Sequence, residues 1–394
     1  MKIGILTQPL HNNYGGILQN YALQQILTRS GHQPQTIDWG KSNGLRSVLY
    51  RLKIRILSLL RPSKYARLKY LPTKREQAII SRNQNAFIQK YINRTRTLCS
   101  QEAFAKQASA GAYQAYIVGS DQCWRPCFNV FLSSMFLDFV QNRNDVRRMA
   151  YAASFGTDEW EFTPEQTAQC RPLAAKFDMV TVREDSGVQL CRDHLGVDAI
   201  QVLDPTMLLT KEDYIALIEA ENEPKSPGKL FNYILDPTEK KTAFIRRAEQ
   251  HTGLKSFQVL PKCQVETRTR DDVKHRIEDC VFPSVTAWLR AFHDAEMTIV
   301  DSFHGMVFSI LFNKPFWVIA NPRRGTTRLT SLLRLFHLED RLLPADRLDS
   351  LDSADLASDI DWGRVNGILE RERERCLRII YDWAGSDKMC CFAK

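Results

Sequence analysis

The feature that most constrains this chain is one local unit used again and again. A short apolar run ends in a polar or glycine-bearing turn, and apolar residues then resume at helical spacing. The run Ile3 to Leu6 leads through His11, Asn12, Asn13, Tyr14, Gly15 and Gly16 into a helical pattern carried by Ile17, Leu18, Tyr21, Ala22 and Ile26, with Gly31 as its stop. The unit returns at Ala115–Val118 before Gly119-Ser120-Asp121 and at Met149–Ala153 before Ser154-Phe155-Gly156. It returns again at Met179–Val182 before the turn from Arg183 through Glu184 to Gly187, and at "IQVL" before Asp204-Pro205. Strands alternating with helices in this way predict a parallel α/β sheet.

A second series follows "ENEPKSPG" (Glu221 to Gly228), whose prolines, glycine and charges read as a linker. Leu230–Leu235 and Ser256–Leu260 read as strands flanking a helix from Thr238 to His251. The segments "MTIV" and "PFWVIA" read as further strands. The first exits through "DSFHG" and the second through the cationic turn "NPRRG". A long charged helix, Trp362 to Trp383, ends the series. The reading is two domains, residues 1–222 and 223–394. In parallel sheets ligands sit outside the carboxyl ends of the strands. The expected architecture is therefore α/β and GT-B-like: two Rossmann-like domains with parallel sheets facing a central cleft. Asn13, Tyr14, Gly15, Gly16, Ser120, Asp121, Arg183 and Glu184 would look in from one side. Asp301, Ser302, His304, Arg323, Arg324 and Arg328 would look in from the other.

With 394 residues, 44% of them hydrophobic, the chain can bury two cores. Its net charge of +9 is unevenly placed. Lys41, Arg46, Arg51, Lys53, Arg55, Arg61, Lys64, Arg67, Lys69, Lys74 and Arg75 are eleven cations with no carboxylate among them. Apolar residues recur helically through the same stretch, as in Leu45, Val48, Leu49, Leu52, Ile56 and Leu59. Residues 41–75 thus read as a basic helical insert. Such a helix suits an anionic membrane surface, here through residues 45–70. It equally suits a helix packed on the core with a solvated basic face. A nucleic-acid patch is a third reading, but no helix-turn-helix or aromatic stacking series accompanies it. No secretion signal is read, and no run of about 18 apolar residues is long enough to span a bilayer. The ten cysteines match no zinc-ligand spacing. The expectation is a cytoplasmic protein with reduced thiols and no metal, peripheral on the inner membrane face where the basic segment engages lipid.

The blocks "NNYGGILQNYALQ", "VGSDQCW", "YAASFG", "VREDSG", "LDPTMLL" and "DSFHGMVFSILFNKPF" occur in that order. Together they resemble the polysaccharide pyruvyl transferase family across most of the chain. The resemblance implies a GT-B-like fold and no resident cofactor. It also implies transfer of pyruvate from phosphoenolpyruvate, as co-substrate, onto two hydroxyls of a sugar, giving a cyclic ketal and phosphate. The acceptor would be a galactose-like or other hexose on a lipid-linked glycan. Many family members resemble Ser-x-Arg-x-His at the last turn, whereas here the place of that arginine is taken by Ser302.

The residues fit such chemistry on their own terms. A donor carrying a carboxylate and a phosphate calls for guanidinium groups, which hold either oxyanion bidentately. Arg323, Arg324 and Arg328 are candidates for that clamp, with Arg183 and Ser302 beside them. Addition across the donor double bond needs an acid for the methylene carbon and a base for the sugar hydroxyl. His304, at a strand-to-helix turn, has the right ordinary pKa for proton transfer or for holding the phosphate. Glu184, Asp121 and Asp301 are the carboxylate candidates, each also readable as a turn or cap residue. Asn13, Tyr14, Gly15, Gly16 and Ser120 are candidates for the acceptor. Two rivals stay open: a sugar-nucleotide glycosyltransferase, with Glu278 or Asp279 placed for a ribose, and a non-catalytic assembly protein at the membrane surface.

Overall fold

The computed structural model describes residues 1–40, 52–53, 72–110, 113–263, 276–321, 325–349 and 359–385. Most of the basic segment, and with it Arg323 and Arg324, lies outside the described residues.

The first half holds six parallel strands: β1 (Lys2–Leu6), β2 (Gln33–Thr36), β3 (Ala115–Gly119), β4 (Arg147–Ala153), β5 (Met179–Val182) and β6 (Ile200–Gln201). Their order is β2-β1-β3-β4-β5-β6. The second half holds β7 (Leu230–Tyr233), β8 (Ser256–Phe257), β9 (Met297–Val300), β10 (Phe316–Ile319) and β11 (Leu342–Leu343). These too are parallel, in the order β11-β10-β9-β7-β8. Every residue of β3, β7, β9 and β10 is buried, as strands covered on both faces by helices require. β2 is the strand the sequence hides: Gln-Pro-Gln-Thr is polar and carries a proline. It sits at a sheet edge, where a missing N–H is tolerated.

Each sheet reverses its winding once. In the first, the chain leaves β1 for β2 on one side and returns to β3 on the other. In the second, it leaves β7 for β8 and returns to β9. A crevice opens outside the strand ends at such a reversal. The residues that follow β1, β3, β7 and β9 therefore define where ligands can sit.

The halves share one continuous apolar core, which includes Ile17 and Leu18 of the first and Trp288 and Met306 of the second. Tyr14 is part of that join. Its ring is fully buried and stacks on Trp288 with centroids 5.6 Å apart, and its hydroxyl donates to the Pro283 carbonyl at 2.9 Å. Such a pair adds about 0.5–1.5 kcal/mol beyond the area it buries. The long helix Trp362–Ala384 ties the halves a second time. Near its start Arg364 donates to the His337 carbonyl of the second half. Further along, Arg373 and Arg375 donate to the Met207 and Gln201 carbonyls of the first half, and Arg147 reaches the Trp383 carbonyl. Residues 223–394 therefore include a helix whose second part lies on the first half.

Among the described residues no helix is long and apolar enough to cross a membrane.

Candidate functional site

One small cavity, about 150 Å³, lies where the two winding reversals meet. The first half contributes Asn13, Gly15, Asp121, Gln122 and Phe128 to its wall. The second contributes Asp301, Ser302, Phe303, His304 and Arg328, with Tyr233, Leu235 and Asn321.

His304 stands in the first turn of the helix Phe303–Leu311, whose N-cap Ser302 accepts a hydrogen bond from the Gly305 N–H at 3.1 Å. That cap fixes the turn, and the turn carries the imidazole across to the first half. There the ring rests directly on Gly15. A methyl group at Gly15 would lie 2.1 Å from the ring's Cγ and Nδ1, so only glycine leaves room for it. The two glycines therefore do not form a loop ahead of the helix, as the sequence suggests. The helix starts at Tyr14, and they are its first turn.

The other side of the ring faces Asp204, with Nε2 3.5 Å from Oδ2. Asp204 is wholly buried at the exit of β6 and is held from several directions. Its Oδ1 accepts from the Thr206 N–H and hydroxyl at 3.0 and 2.7 Å. Its Oδ2 accepts from Ser120 Oγ at 2.9 Å and from Arg183 at 3.0 Å. Burial alone would raise its pKa, but His304, then Arg183 and Thr206, hold the carboxyl well below the ordinary range. A carboxylate fixed in this way orients an imidazole.

Behind the wall, the Arg183 guanidinium lies among three carboxylates: Asp204, Glu184 at 3.7 Å and Asp121 at 3.8 Å. It also stacks 4.2 Å over the Phe303 ring, and Arg328 lies 5.9 Å from the same ring. Two guanidiniums thus flank the Phe303 ring beside His304, one from each half. Arg328 is in the cavity wall and buried, and burial, with Arg183 as the next cause, pulls its pKa down to about 10.

The expected site residues thus divide. Asn13, Gly15, Asp121, Ser302, His304 and Arg328 share the cavity wall. Asp121 has left-handed backbone (φ 61°), and its carboxylate accepts from the Gln122 N–H and from Asn13 Nδ2 at 3.3 Å. Five others lie behind the wall. Tyr14 is in the core, Gly16 backs onto Asn13, and Ser120 serves Asp204. Arg183 is the buried hub of the carboxylates, so it does not present a face to a donor. Glu184 is buried with its Oε1 on the Ser154 hydroxyl, and burial pushes its pKa up against the pull of Arg183, Ser154 and Arg328. Asp301, although at the cavity, is held by Lys241 at 2.7 Å and by the Leu235 and Asp236 N–H groups, a structural role rather than that of a base. Arg323 and Arg324 lie outside the described residues. The rival's ribose carboxylates do not reach the cavity: Glu278 pairs with Arg82 at the surface, and Asp279 approaches Lys262.

Asp204 is the residue sequence reasoning passed over as a site residue. The signal available was its position after a strand in "LDPTMLL". That position also fits a turn, and here Asp204 does cap the turn through Thr206.

Two parallel α/β halves around a cleft at their strand ends define a GT-B-type fold. Solved structures bear this out at the level of fold. Staphylococcus aureus MnaA in complex with UDP aligns at TM-score 0.54 and 11% identity, covering 98% of this chain and 97% of the other. The UDP-GlcNAc 2-epimerase of Neisseria meningitidis bound to UDP-GlcNAc aligns at TM-score 0.50 and 9% identity, covering 98% and 100%. Arabidopsis thaliana UGT89C1 complexed with UDP-L-rhamnose aligns at TM-score 0.50 and 10% identity, covering 98% and 96%. No curated protein matches the sequence significantly. The sequence matches the polysaccharide pyruvyl transferase family over residues 13–323, and the chain belongs to that family. It is a transferase of polysaccharide biosynthesis.

Proposed function

We propose that this protein transfers pyruvate from phosphoenolpyruvate onto two hydroxyls of a hexose, galactose-like, in a lipid-linked glycan, and releases phosphate. The observation that carries the reading is the meeting of Arg328 with the His304–Asp204 pair at one small cavity. A guanidinium there suits the donor's carboxylate or phosphate. The cavity is also compact beside the roughly 300–1,000 Å³ pockets that hold drug-sized ligands.

In this reading His304, its imidazole backed by Asp204, gives a proton to the donor's methylene carbon. The first hydroxyl oxygen bonds to C2 and yields its proton to Asp121. The C2–O bond to phosphate breaks, and phosphate departs with the electron pair. The second hydroxyl oxygen takes its place on C2 and loses its proton. Of the two protons released, one replaces that spent on the methylene and the other leaves with phosphate. The basic segment would bring the enzyme to an anionic membrane surface that carries the acceptor.

The test is proton NMR of the protein with phosphoenolpyruvate and a panel of methyl hexosides. A new ketal methyl signal, matched by released phosphate, is the expected result. Consumption of a UDP-sugar in its place would establish the sugar-nucleotide rival.

A further inference from the structure

Resting on that reading, we infer that Phe128 is the platform on which the acceptor hexose lies. Phe128 is in the cavity wall, yet 47% of its surface is exposed. Scattered exposed apolar residues are ordinary on a protein surface. Phe128 differs in two ways. It borders the cavity that holds His304 and Asp121, and the loop beneath it is tightly fixed.

That loop runs from the strand-end turn at Asp121. The Asn129 amide, itself buried, donates to the Gln122, Cys123 and Arg125 carbonyls at 3.2, 3.0 and 2.7 Å. Gln8 reaches across from the end of β1 to the Gln122 carbonyl and to Asn129 Oδ1, at 2.9 and 3.0 Å. Arg125 is clamped by both oxygens of Glu161, at 2.9 and 2.7 Å, and its guanidinium carbon lies 5.2 Å from the Phe128 ring centroid. A loop pinned by so many side chains, yet presenting a half-exposed aromatic ring to a polar cavity, suits a partner with an apolar face.

A pyranose has that form. One face carries C–H groups that pack on an aromatic ring, and its rim carries hydroxyls. With the ring on Phe128, the hydroxyls fall on the side of Asn13 and Asp121, which belong to the same half and the same wall. The arrangement puts the acceptor on the first half and leaves Arg328 and His304, on the second, for the donor.

The test is saturation-transfer NMR with methyl galactoside, glucoside and mannoside, and separately with phosphoenolpyruvate, on wild type, Phe128→Ala and Phe128→Trp. The expected result is hexoside binding by wild type with saturation strongest on one C–H face. Phe128→Ala should weaken it about tenfold and Phe128→Trp should keep it, with phosphoenolpyruvate binding unchanged in all three. Equal hexoside binding by wild type and Phe128→Ala, or no hexoside binding by wild type, would overturn the subsite. Phe128-dependent hexoside binding without any phosphoenolpyruvate binding would keep the subsite and overturn the pyruvyl-transfer reading.

Discussion

The imidazole of His304 occupies the space that any side chain at Gly15 would fill. A Cβ there would stand 2.1 Å from the ring's Cγ and Nδ1. Gly15→Ala should therefore displace the ring, and a shift of about 1 Å can cost on the order of a hundredfold in rate. Overpacking should also cost about 1–3 kcal/mol of stability. Gly16→Ala is the milder comparison, since its Cβ would meet the movable Asn13 side chain, 3.0 Å from Nδ2 and 3.2 Å from Cγ, and not the imidazole. Steady-state kinetics and thermal melts of the two variants check this. Comparable activity in both would mean that the contact does not place the ring.

Asp204 links the halves through His304, and its carboxyl is held below the ordinary range. Its contribution to stability is thus fully present above about pH 3.9, the ordinary aspartate value, and is lost as pH falls through the depressed pKa. Asp204→Asn should destabilise the protein by about 3–5 kcal/mol near neutrality, because Arg183 loses the nearest of its three carboxylates and His304 loses its carboxylate neighbour. Denaturant melts should show that deficit shrinking as the pH drops below about 4. A deficit that does not change with pH would contradict the assignment.

Arg183 and Arg328 flank the same ring, but only Arg328 is in the cavity wall. Arg328→Ala should weaken phosphoenolpyruvate binding by about 2 kcal/mol, roughly thirtyfold. Arg183→Ala should act mainly on stability, since it strands three carboxylates. Calorimetric titration and melting of both variants separate the two roles. A larger loss of donor affinity in Arg183→Ala would reverse them.

The eleven cations between Lys41 and Arg75 carry no carboxylate to offset them. Each basic group near an anionic leaflet contributes about 1 kcal/mol of attraction. Deleting residues 45–70 should sharply reduce co-sedimentation with phosphatidylglycerol vesicles and leave donor binding intact. Unchanged vesicle binding would remove the membrane role.

The sequence made the repeated strand, turn and helix legible because buried parallel strands are short, apolar and closed by polar turns. It hid β2, whose polar residues suit a sheet edge, and β11, which is only Leu342–Leu343. At the site, residues at strand exits were legible as a class, but their orientation was not. Tyr14 sits in a polar-looking stretch and reads as a candidate for the acceptor, but its ring is buried and stacks on distant Trp288. Glu184 and Arg183 occupy a turn that looks as open as that of Asp121, yet they point behind the wall. Asp204 looks like a turn residue and is one, but it also holds an imidazole from the other half. Such pairings join residues far apart in sequence, and no local pattern of charge or spacing encodes them.

Thermal unfolding with phosphoenolpyruvate, with UDP-sugars and with GDP-sugars, on wild type and His304→Ala, tests the central claim most directly. A ligand that binds only the folded state raises Tm by mass action, by about 2.7 kcal/mol of stabilisation at a hundredfold excess over Kd. The expected result is a rise with phosphoenolpyruvate alone, largely lost in His304→Ala. A rise with a nucleotide sugar and none with phosphoenolpyruvate would contradict it.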